Sequence, residues 1–427
     1  MKICVVGSGI SGMAAAWLLS QRHEVDLVEQ EQSLGGHTRT VDVLIGNRRV
    51  PCDVGFMVFN HRTYPNLVRL FEHFGIPEQD ADMSFSVHDA AAGVTWRGDL
   101  RGVFADPKTF VRPAYWRMLA DIVRFSRSGE RLLRDPALAS MTLGELLERD
   151  GYGPGFREWY LVPMAGSIWS MPSERVLRFP AASMIRFFDN HGLIRIAGKP
   201  QWKSVPGGAR RYVERMAREV SGAVRIGDGA ASIVRGPEGV EVALRSGERL
   251  RYDAVVLACH ADQALAVLHD ADEEERAVLS AIPYEPNDVV LHSDTAFLPP
   301  RRAAWAAWNH ASAGAAEPRV SVTYRLRVLQ RLPVDDEVLV TLNPLRPVPE
   351  DAVHARFVLA HPQFGPGSVE AQHALERIQG RRRTWFAGAW TRDGFHEDGL
   401  ISGLRVAKAF GIDPPWGRIL DPEEAAR

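Results

Sequence analysis

Near the start of the chain, Val6-Gly7-Ser8-Gly9-Ile10-Ser11-Gly12 is followed by a glutamate at position 29, a set with the types and spacing to hold a dinucleotide. Gly7 permits a tight turn, Gly9 lets backbone approach a pyrophosphate, and Gly12 lets a helix pack on the preceding strand. That helix begins at Ile10 and Ser11, where free N–H groups and a partial positive charge face the phosphates. Glu29 lies 17 residues after Gly12, at the expected end of a second strand. Its carboxylate there accepts hydrogen bonds from ribose hydroxyls and disfavours a 2′-phosphate. FAD or NAD is therefore expected rather than NADP.

These residues need elements to position them. Ile3-Cys4-Val5-Val6 is continuously apolar and bounded by glycine, as a strand buried on both faces should be. Lys2 ahead of a mostly apolar stretch through Leu19 also resembles a leader, but glycines interrupt it and no small-residue cleavage site follows. Ser33-Leu34-Gly35-Gly36-His37-Thr38-Arg39 suits a loop along a phosphate chain, and Asp53-Val54-Gly55-Phe56 a strand passing close to something flat. Residues 64–134 read as helical. Within them Phe110, Tyr115, Trp116, Leu119, Ile122 and Phe125 alternate with Arg112, Arg117, Arg124 and Arg127. This reads first as a solvated helical face over an aromatic core, and second as a peripheral membrane contact. From Gly239 strands dominate, with Ala254–Ala258 again fully apolar. Gly227-Asp228-Gly229 lacks a third glycine and a following helix, so a hairpin turn is predicted there. Runs at 289–292, 320–324 and 338–342 predict an antiparallel sheet, and a last helix opens after Gly399.

Composition narrows the class. With 427 residues, 45% hydrophobic and 24% charged, the chain is an ordinary globular protein large enough for two domains. A net charge of −2 gives no global pull toward nucleic acid, and no apolar run reaches spanning length. Cys4, Cys52 and Cys259 are odd in number and far apart, so neither disulfides nor a metal site is expected. The expected compartment is the cytoplasm, with the inner membrane face as the peripheral alternative.

Taken together, Gly7-x-Gly9-x-x-Gly12 with Glu29, Gly35-Gly36-His37-Thr38, Asp53-Val54-Gly55-Phe56, Asn60-His61-Arg62-Thr63-Tyr64-Pro65-Asn66, Val205-Pro206-Gly207-Gly208, Phe386-Ala387-Gly388 and Gly394-Phe395-His396-Glu397-Asp398-Gly399-Leu400 resemble the flavin-containing amine oxidase superfamily. Its relatives include monoamine and polyamine oxidases, protoporphyrinogen oxidase and phytoene-type desaturases. More narrowly, the chain resembles bacterial FAD-dependent oxidoreductases associated with cyclopropane-fatty-acid-synthase-like genes. The resemblance implies an α/β fold: a Rossmann-like FAD-binding domain, with a central parallel and a small antiparallel sheet, and an inserted α+β substrate domain on an antiparallel sheet. It divides the chain into a discontinuous FAD-binding domain (1–75, 200–285 and 375–427) and a substrate domain (76–199 and 286–374).

Carried onto this sequence, the resemblance puts Gly7, Gly9 and Gly12 at the pyrophosphate and Glu29 at the adenosine ribose. Gly35, Gly36, His37 and Thr38 flank the pyrophosphate and ribityl chain, and Gly55 and Phe56 lie along the isoalloxazine. Gly388 returns to the phosphates, and the helix at Gly399 and Leu400 aims its N-terminus at the flavin N1–C2=O edge. The superfamily often has arginine where His37 stands. No cysteine follows Cys259, so noncovalent FAD is expected. Of the five lysines, Lys203 is a loose match to the lysine that oxygen-using relatives place near flavin N5.

Flavin carries the redox chemistry, and the protein supplies position and electrostatics. His396, Glu397 and Trp390 are the polar and aromatic candidates for catalysis, against structural readings of a loop hydrogen bond, a helix cap and a packed ring. The leading function is a dehydrogenase or desaturase removing hydride from a C–H bond of a hydrophobic, acyl-lipid-type substrate. An amine oxidase is the alternative, and a non-catalytic lipid or prenyl carrier the second. The partners expected are a small hydrophobic or lipid substrate and an electron acceptor (oxygen, quinone or protein), with no nucleic acid.

Overall fold

The computed structural model describes residues 1–99, 102–194, 198–314 and 319–422. Its centre is a five-stranded parallel sheet in the order 224–225, 24–28, 2–6, 254–257, 384–386. Ile3, Cys4, Val5 and Val6 are buried, as are Ala254, Val255, Val256 and Leu257. Both runs are apolar on both faces because both faces of the sheet are covered. The sheet draws its strands from three widely separated stretches of chain, so the glycine turn after the first strand and the segment around Gly388 end on the same side of it.

Helix α1 (Ile10–Leu19) follows the first strand and is buried along its whole length. The last long helix, α6 (His396–Ala409), lies directly against it. A Cβ on Gly399 would stand 2.7 Å from the Ile10 side chain, and one on Gly403 would collide with the Ser11 carbonyl oxygen. Gly399 faces residue 10, and Gly403 residues 11–15, so the helices run the same way and present both N-termini at the same end. Between them in sequence come α2 (Pro65–Phe74), α3 (Pro113–Leu133), α4 (Ala181–Asn190) and α5 (Arg210–Ala217).

Gly227-Asp228-Gly229 is not a hairpin. Residues 224–225 pair in parallel with 27–28, and residues 230–236 open a separate three-stranded antiparallel sheet, so the glycines carry the chain between sheets. The long helical reading of 64–134 also needs correction. Residues 79–81, 85–89 and 94–97 are strands, broken by a turn that includes Gly93 at φ +61. Val87, Val94 and Trp96 alternate or bunch on one buried face, a pattern that tertiary packing resolves in favour of strand. The pair 85–89 and 94–97 completes a seven-stranded sheet with 308–312, 321–325, 339–342, 284–292 and 353–362. That sheet is antiparallel except where 308–312 meets 85–89. A helical layer with α3 and α4 packs around Phe125, Leu132, Leu146, Phe156, Met184 and Phe188. Among the described residues no helix is long and apolar enough to cross a membrane.

Candidate active site

The phosphate end is built from backbone. Gly7 adopts φ +99, and a Cβ there would lie 2.7 Å from the Ala258 carbonyl oxygen. Gly12 abuts Gly7 so closely that any Cβ would strike the Gly7 carbonyl oxygen. Gly9, by contrast, has open space where a Cβ would stand, although Gly36 approaches its Cα from the other side. Gly9 is also the N-cap of α1 and offers no side-chain acceptor, so the first-turn N–H groups of Ile10, Ser11 and Gly12 open onto that space. An open cradle rimmed by uncapped donors fits an anion of pyrophosphate size.

Glu29 is buried beside this cradle. Its Oε2 accepts from Ser8 N at 2.9 Å and Ser8 Oγ at 2.6 Å, and its Oε1 from Glu31 N at 2.9 Å. Ser8 Oγ also accepts from Gly35 N at 3.0 Å, tying the first glycine turn to the second glycine loop. Ser8 was not singled out from sequence; a hydroxyl between two glycines of the turn was the available signal. His37 is half-buried with its Nε2 shielded and unpartnered, 5.9 Å from the His260 ring and 5.4 Å from the His361 ring. Burial first, then neighbouring His260 and Arg39, holds it at about 4, so it stands neutral where relatives often carry a cation.

At the other end the rings of Phe56 and His396 stack at 3.8 Å with a 10° interplanar angle. His396 Nε2 meets Tyr212 Oη at 2.7 Å, and that hydroxyl also bonds Thr38 Oγ1. Buried Thr38 and Tyr212 and half-buried His396 form one chain from the second glycine loop to the first residue of α6. Burial, aided by His37, drops His396 to about 3, so it is a neutral imidazole. Tyr212 belongs to this site through α5; its sequence position carried no motif.

Other predicted residues land in packing roles. Trp390 is buried among Val6, Val28, Val255 and Leu257, and its Nε1 donates to the Cys259 carbonyl at 3.3 Å. Gly388 lacks a side chain because the Trp390 indole lies over it. Leu400 is in the core around α1. Glu397 points away from Phe56: Oε1 accepts from Asn66 N at 2.8 Å and Asn66 Nδ2 at 2.7 Å, and Oε2 from Leu67 N at 3.0 Å. It therefore caps the first turn of α2. Lys203, the loose match to a flavin-facing lysine, is held by Glu78 at 3.3 Å and Asp80 at 2.9 Å.

Phe395, just before His396, opens a cluster of rings. Phe187 lies 4.7 Å from Phe395 and 4.4 Å from Trp169, and His191 stacks on Phe187 at 3.9 Å. Burial keeps His191 at about 4. The cluster continues into a cleft lined by Trp169, Phe179, Phe187, Phe364, Arg392 and Asp393.

A parallel sheet, two helix N-termini at one end of it, a glycine cradle and a buried carboxylate beside it have the form of a dinucleotide-binding α/β protein. The chain belongs to the flavin-containing amine oxidoreductase family, which matches residues 10–410. It is an FAD-dependent oxidoreductase. Among solved structures it resembles a conjugated-linoleate-producing fatty acid isomerase from P. acnes (TM-score 0.68, 14% identity, 96% of this chain and 98% of that one). It also resembles cyclohexylamine oxidase from Brevibacterium oxydans (0.68, 17%, 96% and 98%) and a putrescine oxidase bound to putrescine (0.67, 13%, 96% and 99%). At these identities the likeness is one of fold.

Proposed function

We propose that this protein is a dehydrogenase or desaturase acting on a hydrophobic, acyl-lipid-type substrate. The observation that carries the reading is the ring cluster of Trp169, Phe187, His191 and Phe395 beside the first residue of α6. It is apolar, and its one titratable member is neutral, so it favours a hydrocarbon over a cation. Asp398, three residues after Phe395, pairs with Arg392 at 3.1 Å and is thereby engaged. Bound FAD would supply the hydride acceptor for such a reaction. Desaturation removes that hydride from one carbon and a proton from its neighbour, leaving a carbon–carbon double bond.

In this scheme Gly9, Gly36 and the α1 N-terminus hold the phosphates, Glu29 the ribose, and Phe56 one side of the ring system. The rings of the cluster exclude water from the C–H bond. His396, neutral and hydrogen-bonded through Nε2, is placed to take up or hand on a proton, and Tyr212 positions it. Noncovalent attachment fits the sequence, in which no cysteine follows Cys259.

Anaerobic bleaching of the holoenzyme tests this directly. Detergent-dispersed phospholipids with unsaturated or branched acyl chains are expected to reduce the flavin, whereas putrescine and cyclohexylamine are not. Bleaching by the amines alone establishes the amine oxidase reading, which Asp393 in the adjoining cleft favours. A protein that cannot be loaded with FAD supports the carrier reading. For a proton-handling His396, His396→Gln should slow reduction by roughly a hundredfold or more. Tyr212→Phe should move the pH profile with a smaller loss in rate. Both variants reducing within twofold of wild type would remove His396 from catalysis.

A further inference from the structure

Phe104 (44% exposed), Phe110 and Trp116 (46%) are the only exposed aromatic side chains among the described residues, and they converge on one spot. Phe104 and Phe110 stack at 5.0 Å, Trp116 lies 6.0 Å from Phe110, and its Nε1 donates to the Phe110 carbonyl at 2.9 Å. Val111, 83% exposed, extends the same knuckle. The rings are thus held in place rather than loosely displayed. Clustered exposed apolar surface of this kind marks a contact with something.

The knuckle leads into α3. Its inner face, Tyr115, Met118, Phe125 and Leu132, is buried, while Trp116, Val123, Arg127 and Arg134 share the exposed face at helical spacing. Residues 104–134 hold seven basic side chains against three acidic ones, in a protein whose net charge is −2. The positive charge is therefore local. Asp121 is already shared by Arg117 at 3.8 Å and Arg124 at 2.9 Å. Lys108 and Arg127 have no ion pair among the described residues. Further along the helix Arg124, Arg127 and Arg131 rim an open basin beside Tyr152, where Asp150 pairs with Arg131 at 2.7 Å.

We propose that this face docks on an anionic lipid bilayer, with the aromatic knuckle entering the interface and the arginine row meeting headgroup phosphates. Aromatic rings at one end of a basic helix face suit an interface with an apolar interior and a negative surface. The docking is peripheral, since no described helix is long and apolar enough to cross. It is independent of which substrate the flavin site takes.

Flotation of the FAD-loaded enzyme tests it, using phosphatidylcholine vesicles with and without about 30% phosphatidylglycerol. The enzyme is expected to float with the anionic vesicles and not with the neutral ones. A Phe110→Ser/Trp116→Ser variant should lose roughly tenfold in partitioning, and Arg127→Glu/Arg134→Glu a comparable amount. Val358→Ser, which alters a still more exposed residue of the seven-stranded sheet, should float like wild type. FAD content and thermal midpoint verify that each variant is folded. Three results overturn the proposal: no flotation of wild type, unaltered flotation of the serine variant, or a dimer in solution that the serine variant disperses. Each of these leaves the bleaching assay, read in detergent, free to succeed or fail by itself.

Discussion

Gly12→Ala is expected to cost the fold together with the cofactor, and Gly9→Val the cofactor alone. A Cβ on Gly12 would collide with the Gly7 carbonyl oxygen and stand 3.0 Å from the Gly7 carbonyl carbon and 3.1 Å from the Ala258 Cβ. Two of those atoms are backbone of the central sheet's turn, so relief requires α1 to lift away. Because α1 is buried on all sides, lifting it disturbs the sheet and α6 together. A loss of about 3 kcal/mol or more is expected, beyond the usual range for one extra methyl in a core. Gly9 is the counter-case. Its φ is −59 and its ψ 173, which valine adopts freely, and nothing lies within 4 Å of its Cβ direction. The flavin-free Gly9→Val protein should match flavin-free wild type in circular dichroism and thermal midpoint. Its side chain fills the cradle, so the purified variant should be colourless, with flavin absorbance below roughly a tenth of wild type. A yellow Gly9→Val protein with full flavin content would place the pyrophosphate elsewhere.

The same pair explains what could be read before the structure was known. Gly7, Gly9, Gly12 and Glu29 act through local geometry within one strand–turn–helix–strand unit, so their spacing carries their arrangement. The second loop is likewise short-range: Gly35 N reaches Ser8 and Gly36 reaches Gly9. Tyr212 lies 174 residues from Thr38 and 184 from His396, and no local pattern marks a tyrosine inside an ordinary amphipathic helix. The ring cluster is similar, since Trp169, Phe187 and Phe395 come from three separate elements. Strands 79–97 were hidden because Trp96, Val94 and Val87 gain their burial from residues far along the chain. For Trp390 the sequence leaves a substrate wall and a packed ring equally open, and its position against Gly388 and Cys259 is that of a packed ring.

Glu397→Ala is expected to be the most damaging change at the α6 end, and through stability rather than chemistry. The N-cap of α2, Tyr64, supplies no side-chain acceptor, so that helix takes its cap from Glu397, 331 residues away from Asn66. Asn66 in turn accepts from Leu420 N at 2.9 Å, and its Nδ2 donates to the Leu420 carbonyl at 2.8 Å, linking α2, α6 and the C-terminal segment. Alanine leaves the Asn66 and Leu67 N–H donors buried without acceptors and opens a void beside them. Roughly 3–5 kcal/mol of stability should be lost in denaturant unfolding. Glu397→Gln keeps the volume and separates the two roles. If the carboxylate only caps, flavin reduction in the glutamine variant stays within a few-fold of wild type; a catalytic acid or base would lose roughly a hundredfold. The pH dependence gives a second check. Burial pushes the Glu397 carboxyl up to about 7, against its Asn66 and Leu67 donors, so it binds its proton more tightly folded than unfolded. Its contribution is then complete below the unfolded value near 4.5 and fades as pH rises through about 7. Asp53 and Asp398 are raised in the same direction by burial, whereas His37, His191 and His396 are lowered by burial and gain stability as pH rises. The Glu397 contribution is therefore read from the difference between wild type and the glutamine variant. From pH 5 to pH 8 the wild-type melting temperature should fall relative to that of the glutamine variant, because the variant lacks the Glu397 titration. An identical slope in both proteins would mean that Glu397 is already ionised throughout that range, held charged by the three donors it accepts from.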